Sequence, residues 1–502
     1  MKKILPFLLA FAGLYEVNAQ QTLGLSGSNY SGTHGIFLNP ASIADSRMSF
    51  YLDLFSAQVG ASNNYVKGPI GFSGIEKESF TVKNNGKDKY LNVQGQAQAF
   101  SFMVKMSPVH SLALTNRVRY GITANNVSEG LAKIIWDSDN NDYSTFQGIH
   151  FNLNMNAYKE TGLTYARVIK TTPEYSLKGG ITINRVAGIT SAHITSKEMS
   201  FSSYDQTNEQ GETETILDIQ KIQLQYAYVQ SEAYDNTLDN GGFGTFFGKG
   251  LPGKGWGVNL GATFEKLEES TGVSEGKHKL DSLRMVHKKG AKLDLGNGKM
   301  TNNYKYRVGF SLMDVGSMRY SGNYVQSYDI TRTNTKVSLD SLDGSTDDIA
   351  GTLNNALGVT DSEKKTSFSS SLPTAIQLSF DYHIKGKLYV NAVWVQSLKG
   401  KYALGMRQPS LLAVTPRLEM RWFEVAVPVG LTGNYKNLTI GTHIKAGILH
   451  FGSDNIAGLL GMGKTSGLDV YTGIHIPIFA KNTQSKSKSS KREHSEGVPT
   501  RE

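Results

Sequence analysis

The chain contains no cysteine. That excludes disulfide staples, thiolate nucleophiles, Cys-ligated metals and a lipid-modified N-terminal cysteine. Long apolar runs are missing as well. Beyond Ala19 no stretch approaches the ~20 residues that a helix needs to cross a bilayer, so a membrane-resident form has to cross with strands. Apolar residues make up 39% of the 502, too few for a large greasy core. A basic stripe is also absent: the formal charge is +9, but Lys and Arg are scattered without flanking aromatics, which speaks against nucleic acid as a partner.

What the chain has in plenty is glycine and tyrosine, with 53 Gly, 24 Tyr and 22 Phe. It opens on Met1-Lys2-Lys3, an apolar run from Ile4 to Leu14, and Val17-Asn18-Ala19. This pattern is a secretory signal peptide cleaved after Ala19, giving a leader over residues 1–19. Residues 20–46 follow, rich in Gly and Ser and without alternation, as a segment that threads a lumen or lies at a periplasmic mouth. Residues 47–480 carry the strand pattern. Residues 481–502 are polar, charged and without apolar anchors, a disordered tail.

The strand signal is period-2 alternation. Ile376, Leu378, Phe380, Tyr382 and Ile384 alternate with Gln377, Ser379, Asp381 and His383; Phe151, Leu153, Met155 and Ala157 alternate with Asn152, Asn154 and Asn156. Close pairs read as hairpins: 99–105 with 110–119, 151–158 with 163–169, 376–383 with 388–396, and 411–420 with 423–431. Between them lie polar segments, 122–147, 202–219, 231–254, 266–303 and 331–371, read as external loops. Short turns alternating with long loops, strands of about 9 to 11 residues, and aromatics at strand ends (Tyr306, Tyr382, Tyr389, Trp394) predict an all-β, transmembrane antiparallel β-barrel of about 14 strands, with 14–16 as the range. A soluble sandwich also alternates, but its strands average only about 5–6 residues.

One string points elsewhere. Gly458–Thr465, "GLLGMGKT", satisfies the phosphate-loop pattern, and "GKGLPGK" at 248–254 nearly does. That chemistry needs a helix after the lysine, whose N-terminal amides hold phosphate. The residues after Thr465 alternate and include Pro477, which predicts a strand and excludes a nucleotide. The 11 His are dispersed without a metal-ligand spacing; Glu268, Glu269, Asp347 and Asp348 read as solvated loop acids. No catalytic, cofactor or metal residue emerges, and no enzyme is expected. Asp281–Leu283 and Asp340–Leu342 resemble bacterial O-glycan acceptor triplets in external loops.

The strings "GTHGIFLNPASIADS", "GKGWGVNLGATFE", "LPTAIQLSFDY" and "GILHFGSDNIAGLLG" resemble, in order, a Bacteroidota family of outer-membrane barrels of unknown function, similar to FadL and PorV barrels. The resemblance covers residues 22–480. It implies that Asn39, Pro40 and Ala41 belong to an N-terminal plug, where Pro stiffens the chain and Asn bonds its own backbone. It also implies that Gly452, Ser453, Asp454 and Asn455 form a compact late-loop turn. The family resemblance implies an outer-membrane protein that contacts membrane lipid and the barrel-insertion machinery and passively transports a small apolar or amphipathic solute. The alternative is an accessory barrel that docks exported proteins or a secretion or surface-motility apparatus. One departure is that Phe479, the aromatic expected to end the last strand, is followed by 23 further residues.

Overall fold

A computed structural model describes residues 22–68, 80–136, 145–207, 213–233, 250–268, 304–338, 349–460 and 466–479. Nineteen ladder segments form a closed ring of fourteen antiparallel strands, because five strands each consist of two collinear segments. They are β1 (Met48–Asn63), β2 (Lys89–Lys105), β3 (His110–Val127), β4 (Thr145–Thr171), β5 (Tyr175–Thr207), β6 (Thr213–Val229, then Gly253–Leu267) and β7 (Tyr304–Ser321, then Val325–Ser338). The ring continues through β8 (Ser367–Ser371, then Ala375–Lys385), β9 (Leu388–Ser397), β10 (Leu411–Glu419), β11 (Phe423–Ala426, then Val429–Thr432), β12 (Asn437–Ile440, then Thr442–Ala446), β13 (Leu449–Ser453) and β14 (Gly467–Phe479). β14 closes on β1, with Phe479 opposite Met48 and Val470 opposite Val59. Pro477 lies opposite Tyr51, two residues before β14 ends, where a missing donor costs little.

The wall is inside-out relative to a water-soluble protein. On β8 the polar Gln377 and Asp381 are 4% and 1% exposed, while Leu378 and Phe380 between them are 40% and 44% exposed. The same holds for Ile474, Ile476 and Ile478, which are exposed, against the buried Asp469 and His475. Polar side chains therefore fill the lumen and apolar ones face outward, as a strand crossing lipid requires. Near one rim Tyr175, Phe264, Tyr306 and Phe380 stack in a row across β5–β8 with ring centroids 5.7–6.3 Å apart, an aromatic girdle. Trp394 donates to the Tyr435 hydroxyl at 2.8 Å. Tyr389 does not join them; it is buried between Arg47 and Arg417 in the lumen.

Three loop assignments change. Residues 151–169 are one strand, β4, without a turn. Gly162 sits in mid-strand because a Cβ there would stand 2.4 Å from Asn184 Oδ1 and 2.7 Å from Thr115 Oγ1 inside the lumen. Residues 122–127, 202–207, 213–219 and 331–338 are strand, not loop: β3 and β5–β7 run on beyond the membrane belt. The third change concerns direction. The insertion at 230–252 does not reverse the chain, since β5 pairs with the upper segment of β6 at Ala192↔Tyr228 and with its lower segment at Gly188↔Gly253. Leu267 and Tyr304 therefore pair at the rim of the tight turns, where Leu267 N–H also bonds Glu174 O at 2.8 Å. Glu268 and Tyr304, which bracket segment 269–303 with its 281–283 triplet, thus stand at that rim rather than at the outer one. The segment and the 340–342 triplet lie outside the described residues.

Above the belt the tall strands carry a second core. Ile219, Ile222, Leu224, Tyr226, Tyr328 and Ile330 are buried with Leu357 and Phe151, under the helices Glu129–Trp136 and Ile349–Ala356. This cap is clasped by two partly exposed carboxylates. Hydrogen bonds from Lys89 and from the Asn85 and Gly86 amides hold Glu129 near pKa 2, and Arg332 does the same for Glu363. Among the described residues no helix is long and apolar enough to cross a membrane.

Candidate functional site

Residues 22–46 lie inside the barrel and are buried almost throughout. Without alternation they cannot join the wall, and their small residues let them coil: a helical turn at Leu23–Ser26 and 3-10 turns at Gly32–Phe37 and Pro40–Ile43. Asn39 anchors one end. Its Oδ1 accepts from Ala41 N–H at 2.9 Å and its Nδ2 donates to Ala262 O and Phe310 O at 3.0 and 3.2 Å. The wall makes room with glycine: a Cβ on Gly261 would lie 2.1 Å from Asn39 Oδ1, and one on Gly180 2.5 Å from Pro40 C. Asp454 anchors the other end by accepting Leu23 N–H at 3.1–3.2 Å. Its own N–H bonds Asp469 at 2.9 Å, Ser453 Oγ bonds Asp469 at 3.3 Å, and Asn455 caps the turn Ile456–Leu459 through Gly458 N–H. Gly452 is packed where a Cβ would meet the Tyr471 ring at 2.4 Å. The two sequence motifs thus grip opposite ends of one plug.

Between those ends the plug meets a buried charge network. Arg417 forms a two-pronged pair with Asp381 at 2.7 and 2.8 Å and reaches Glu419 at 2.7 Å. Arg307 joins Asp381 at 2.9 Å and donates to Gly27 O of the plug at 3.1 Å. Plug residue Asn29 gives its N–H and Nδ2 to Glu419 at 2.9 and 2.8 Å, and Ser28 Oγ gives to Glu424 at 2.7 Å, which Lys445 also binds at 2.9 Å. Lys178–Glu265 and Lys105–Asp45 are further buried pairs. Charges removed from water need such mutual satisfaction, and breaking one partner costs about 3–5 kcal/mol.

A third contact zone is aromatic. Plug residue His34 places Nε2 2.9 Å from Asp53, to which Gln98 also donates at 2.7 Å. Its ring is edge-on to His450 at 5.3 Å, and His450 lies 5.6 Å from His475 and 6.1 Å from His443. Among the described residues no group of three His or acidic side chains is arranged to hold a metal ion.

From the outer side residues 398–410 dip into the lumen. Asn152 and Asn154, read only as the polar face of a strand, hold them: Asn152 donates to Lys401 O at 2.9 Å and Asn154 accepts from Gly405 N–H at 2.9 Å. Met406 lands among Tyr158, Val186, Met318, Tyr320, Phe368 and Leu372, an apolar patch on the luminal wall. Among the described residues, cavities of about 40 and 70 Å³ lie beside the plug; the larger of these is lined by Arg117, Arg119, Asp314 and several glutamines. Room for a few waters is all they offer. The inserted loop carried no sequence signal beyond the run of three alternating asparagines.

The phosphate-loop string divides. Gly458 belongs to the turn Ile456–Leu459, residues 461–465 lie outside the described residues, and from Gly467 the chain is strand β14. Among the described residues the string is followed by a strand and not by the helix whose N-terminal amides would bind phosphate. Glu268 meets His383 at 2.6 Å.

A family model matches residues 40–454, from the anchored Pro40 to the anchoring Asp454. The chain belongs to the family of unknown function DUF5723. No curated protein matches this DUF5723 chain in sequence. Among solved structures it is similar to the toluene transporter TbuX of Ralstonia pickettii, at 9% identity over 93% of this chain and 100% of that one, with a TM-score of 0.36. It is also similar to a deletion mutant of the monoaromatic hydrocarbon channel TodX (8%, 92% and 99%, TM-score 0.41) and to a Pseudomonas aeruginosa FadL homologue (10%, 91% and 97%, TM-score 0.27). At such identities and scores these likenesses bear on neither solute nor mechanism, and the fold rests on the strand ladder itself.

Proposed function

We propose that this DUF5723 protein is a non-enzymatic outer-membrane barrel, closed at rest by its N-terminal segment, through which a small amphipathic solute passes when that segment yields. One observation carries the reading: beside the apolar contacts of Leu23, Ile36, Leu38 and Ile43, plug and wall are joined by many hydrogen bonds and ion pairs. Those polar contacts can be rehydrated on separation, which lowers the cost of parting the two surfaces below that of an all-apolar interface. The lumen then offers a polar chamber at Arg117 and Arg119 beside the apolar patch at Tyr158 and Tyr320, which suits a solute with both characters better than a purely apolar one. The test is solute flux into liposomes carrying the full chain or a variant lacking residues 22–38. Heat-modifiable migration checks that both are folded. Flux should be low for the full chain and high for the variant; a folded variant that stays impermeable overturns the reading.

A second reading is favoured by the cap, whose apolar core serves no membrane-spanning purpose. It makes the protein a dock for exported proteins or a secretion or surface-motility apparatus, with the plug as permanent filling. Impermeability of the shortened variant is its expected result.

A further inference from the structure

We propose that the four histidines around His450 form a proton-operated latch on the plug. The inference rests on the transport reading and adds what releases the segment. His34 comes from the plug, His443 from β12, His450 from β13 and His475 from β14, and all four are buried. His450 touches each of the other three rings, at 5.3, 5.6 and 6.1 Å. Its Nδ1 stands 3.4 Å from the Nδ1 of His475, a spacing at which one shared proton is welcome and two repel. Neither ring nitrogen of the fully buried His443 has a partner among the described residues. Such a ring gains nothing structural from its polarity, and a buried polar group kept without a partner invites a functional explanation.

The surroundings set the sign. The one carboxylate in direct contact with the four rings, among the described residues, is Asp53 on β1, paired to His34. Lys445 on β12 faces His443 and His450 and is itself tied to Glu424 of β11. Tyr51 of β1 stacks on His475 at 5.3 Å, and Tyr471 of β14 stacks on His443 at 5.7 Å and reaches the Asp454–Asp469 pair with its hydroxyl. Gln98 of β2 completes the ring around Asp53. With all imidazoles neutral, Asp53 and the Lys445–Glu424 pair leave the zone near balance. Each proton beyond the first adds positive charge that no second carboxylate in direct contact with the rings, among the described residues, offsets. The wall strands are fixed by their ladders, so the element that can move away is the plug with His34. Imidazole is the side chain that titrates in the range a cell envelope meets, around pH 5–7.

The test is amide hydrogen exchange of the full-length barrel in liposomes from about pH 7.5 to 5, corrected for the intrinsic pH dependence of exchange. Protection of residues 23–38 should fall by about tenfold per pH unit for each proton taken up on release, while the β1–β14 ladder amides stay protected. His450→Gln and, separately, His34→Gln should flatten that fall, with heat-modifiable migration showing both barrels intact. Plug protection that does not change with pH overturns the latch. So does an equal fall in both variants, which would assign the effect to Asp53, Glu424, Asp454 or Asp469. A fall shared by the wall amides overturns it too, as ordinary acid unfolding. Because exchange reads plug release and not flux, a failed latch leaves the permeability test standing, and an impermeable shortened barrel leaves this one standing.

Discussion

β6 and β7 pass through two environments, and their inward faces change character between them. Within the belt the lower segments bury Asn259, Thr263, Glu265 and Ser311, with Met318 and Tyr320 marking the apolar patch at their upper end; the upper segments bury Ile222, Leu224, Tyr226, Tyr328 and Ile330. The outward faces change in the opposite sense, from Leu260, Val308 and Phe310 to Asp329 and Thr331. Both regions are antiparallel ladders of the same chain, so the backbone does not decide which face is apolar. The solvent does: lipid outside the belt accepts apolar side chains and leaves polar ones to the lumen, while water around the cap drives apolar groups inward.

The largest way to break this contrast is in the lumen. Arg417→Met leaves Asp381 and Glu419 buried without their main cation and should cost about 3–5 kcal/mol, read as a lower urea midpoint in detergent with the cap core intact in the native fraction. Phe310→Lys puts a charge on the lipid face of β7 and should cost about 2–4 kcal/mol. The same substitution at Thr331, one segment higher on the same strand, should cost less than about 0.5 kcal/mol. Equal costs at the two positions would remove the distinction between belt and cap. Gly180→Leu drives a side chain into Pro40 and should destabilise the plug by about 1–3 kcal/mol, seen as faster exchange at residues 39–43 with the ladders unchanged.

A smaller effect sharpens the comparison by pH. Glu129 and Glu363, with folded pKa values near 2 against an ordinary value of 4.5, contribute cap stability that is present above the unfolded pKa and lost as pH falls from about 4.5 through 2. The cap clasps therefore hold at pH 5, and exchange of the helices Glu129–Trp136 and Ile349–Ala356 should not change between pH 7.5 and 5. The smallest effect of all belongs to Lys464→Ala, which should leave folding and heat-modifiable migration as they are; nucleotide binding lost with that substitution would reopen the phosphate-loop reading.

The barrel, and its strand number to within two, were legible in the chain because alternation is a local property. Gln377 to Asp381 show it without any knowledge of their neighbours. The cap strands were not, because residues 202–207, 213–219 and 331–338 are polar on their outer face in water and sparse in apolar residues on the other, and so resemble loops. The 230–252 insertion was misread for a related reason. A polar segment between two strands looks the same whether the chain turns back or continues, and this choice set the rim at which Glu268 and Tyr304 stand.

The motifs show the same division. Asn39-Pro40-Ala41 and Gly452–Asn455 stood out as turn chemistry, and each does form a local turn with its own side-chain cap. That they hold the two ends of one plug depends on Gly180, Gly261 and Leu23, far away in sequence. His34, His443, His450 and His475 looked dispersed, because no helical or strand spacing joins residues on four elements. The sequence alone determined the inside-out alternation, the turn residues and the glycine supply, all of which are consequences of local backbone and solvent preference. Tertiary structure decided which charges pair and which rings meet, since these depend on contacts made only when the barrel closes around its own N-terminal segment.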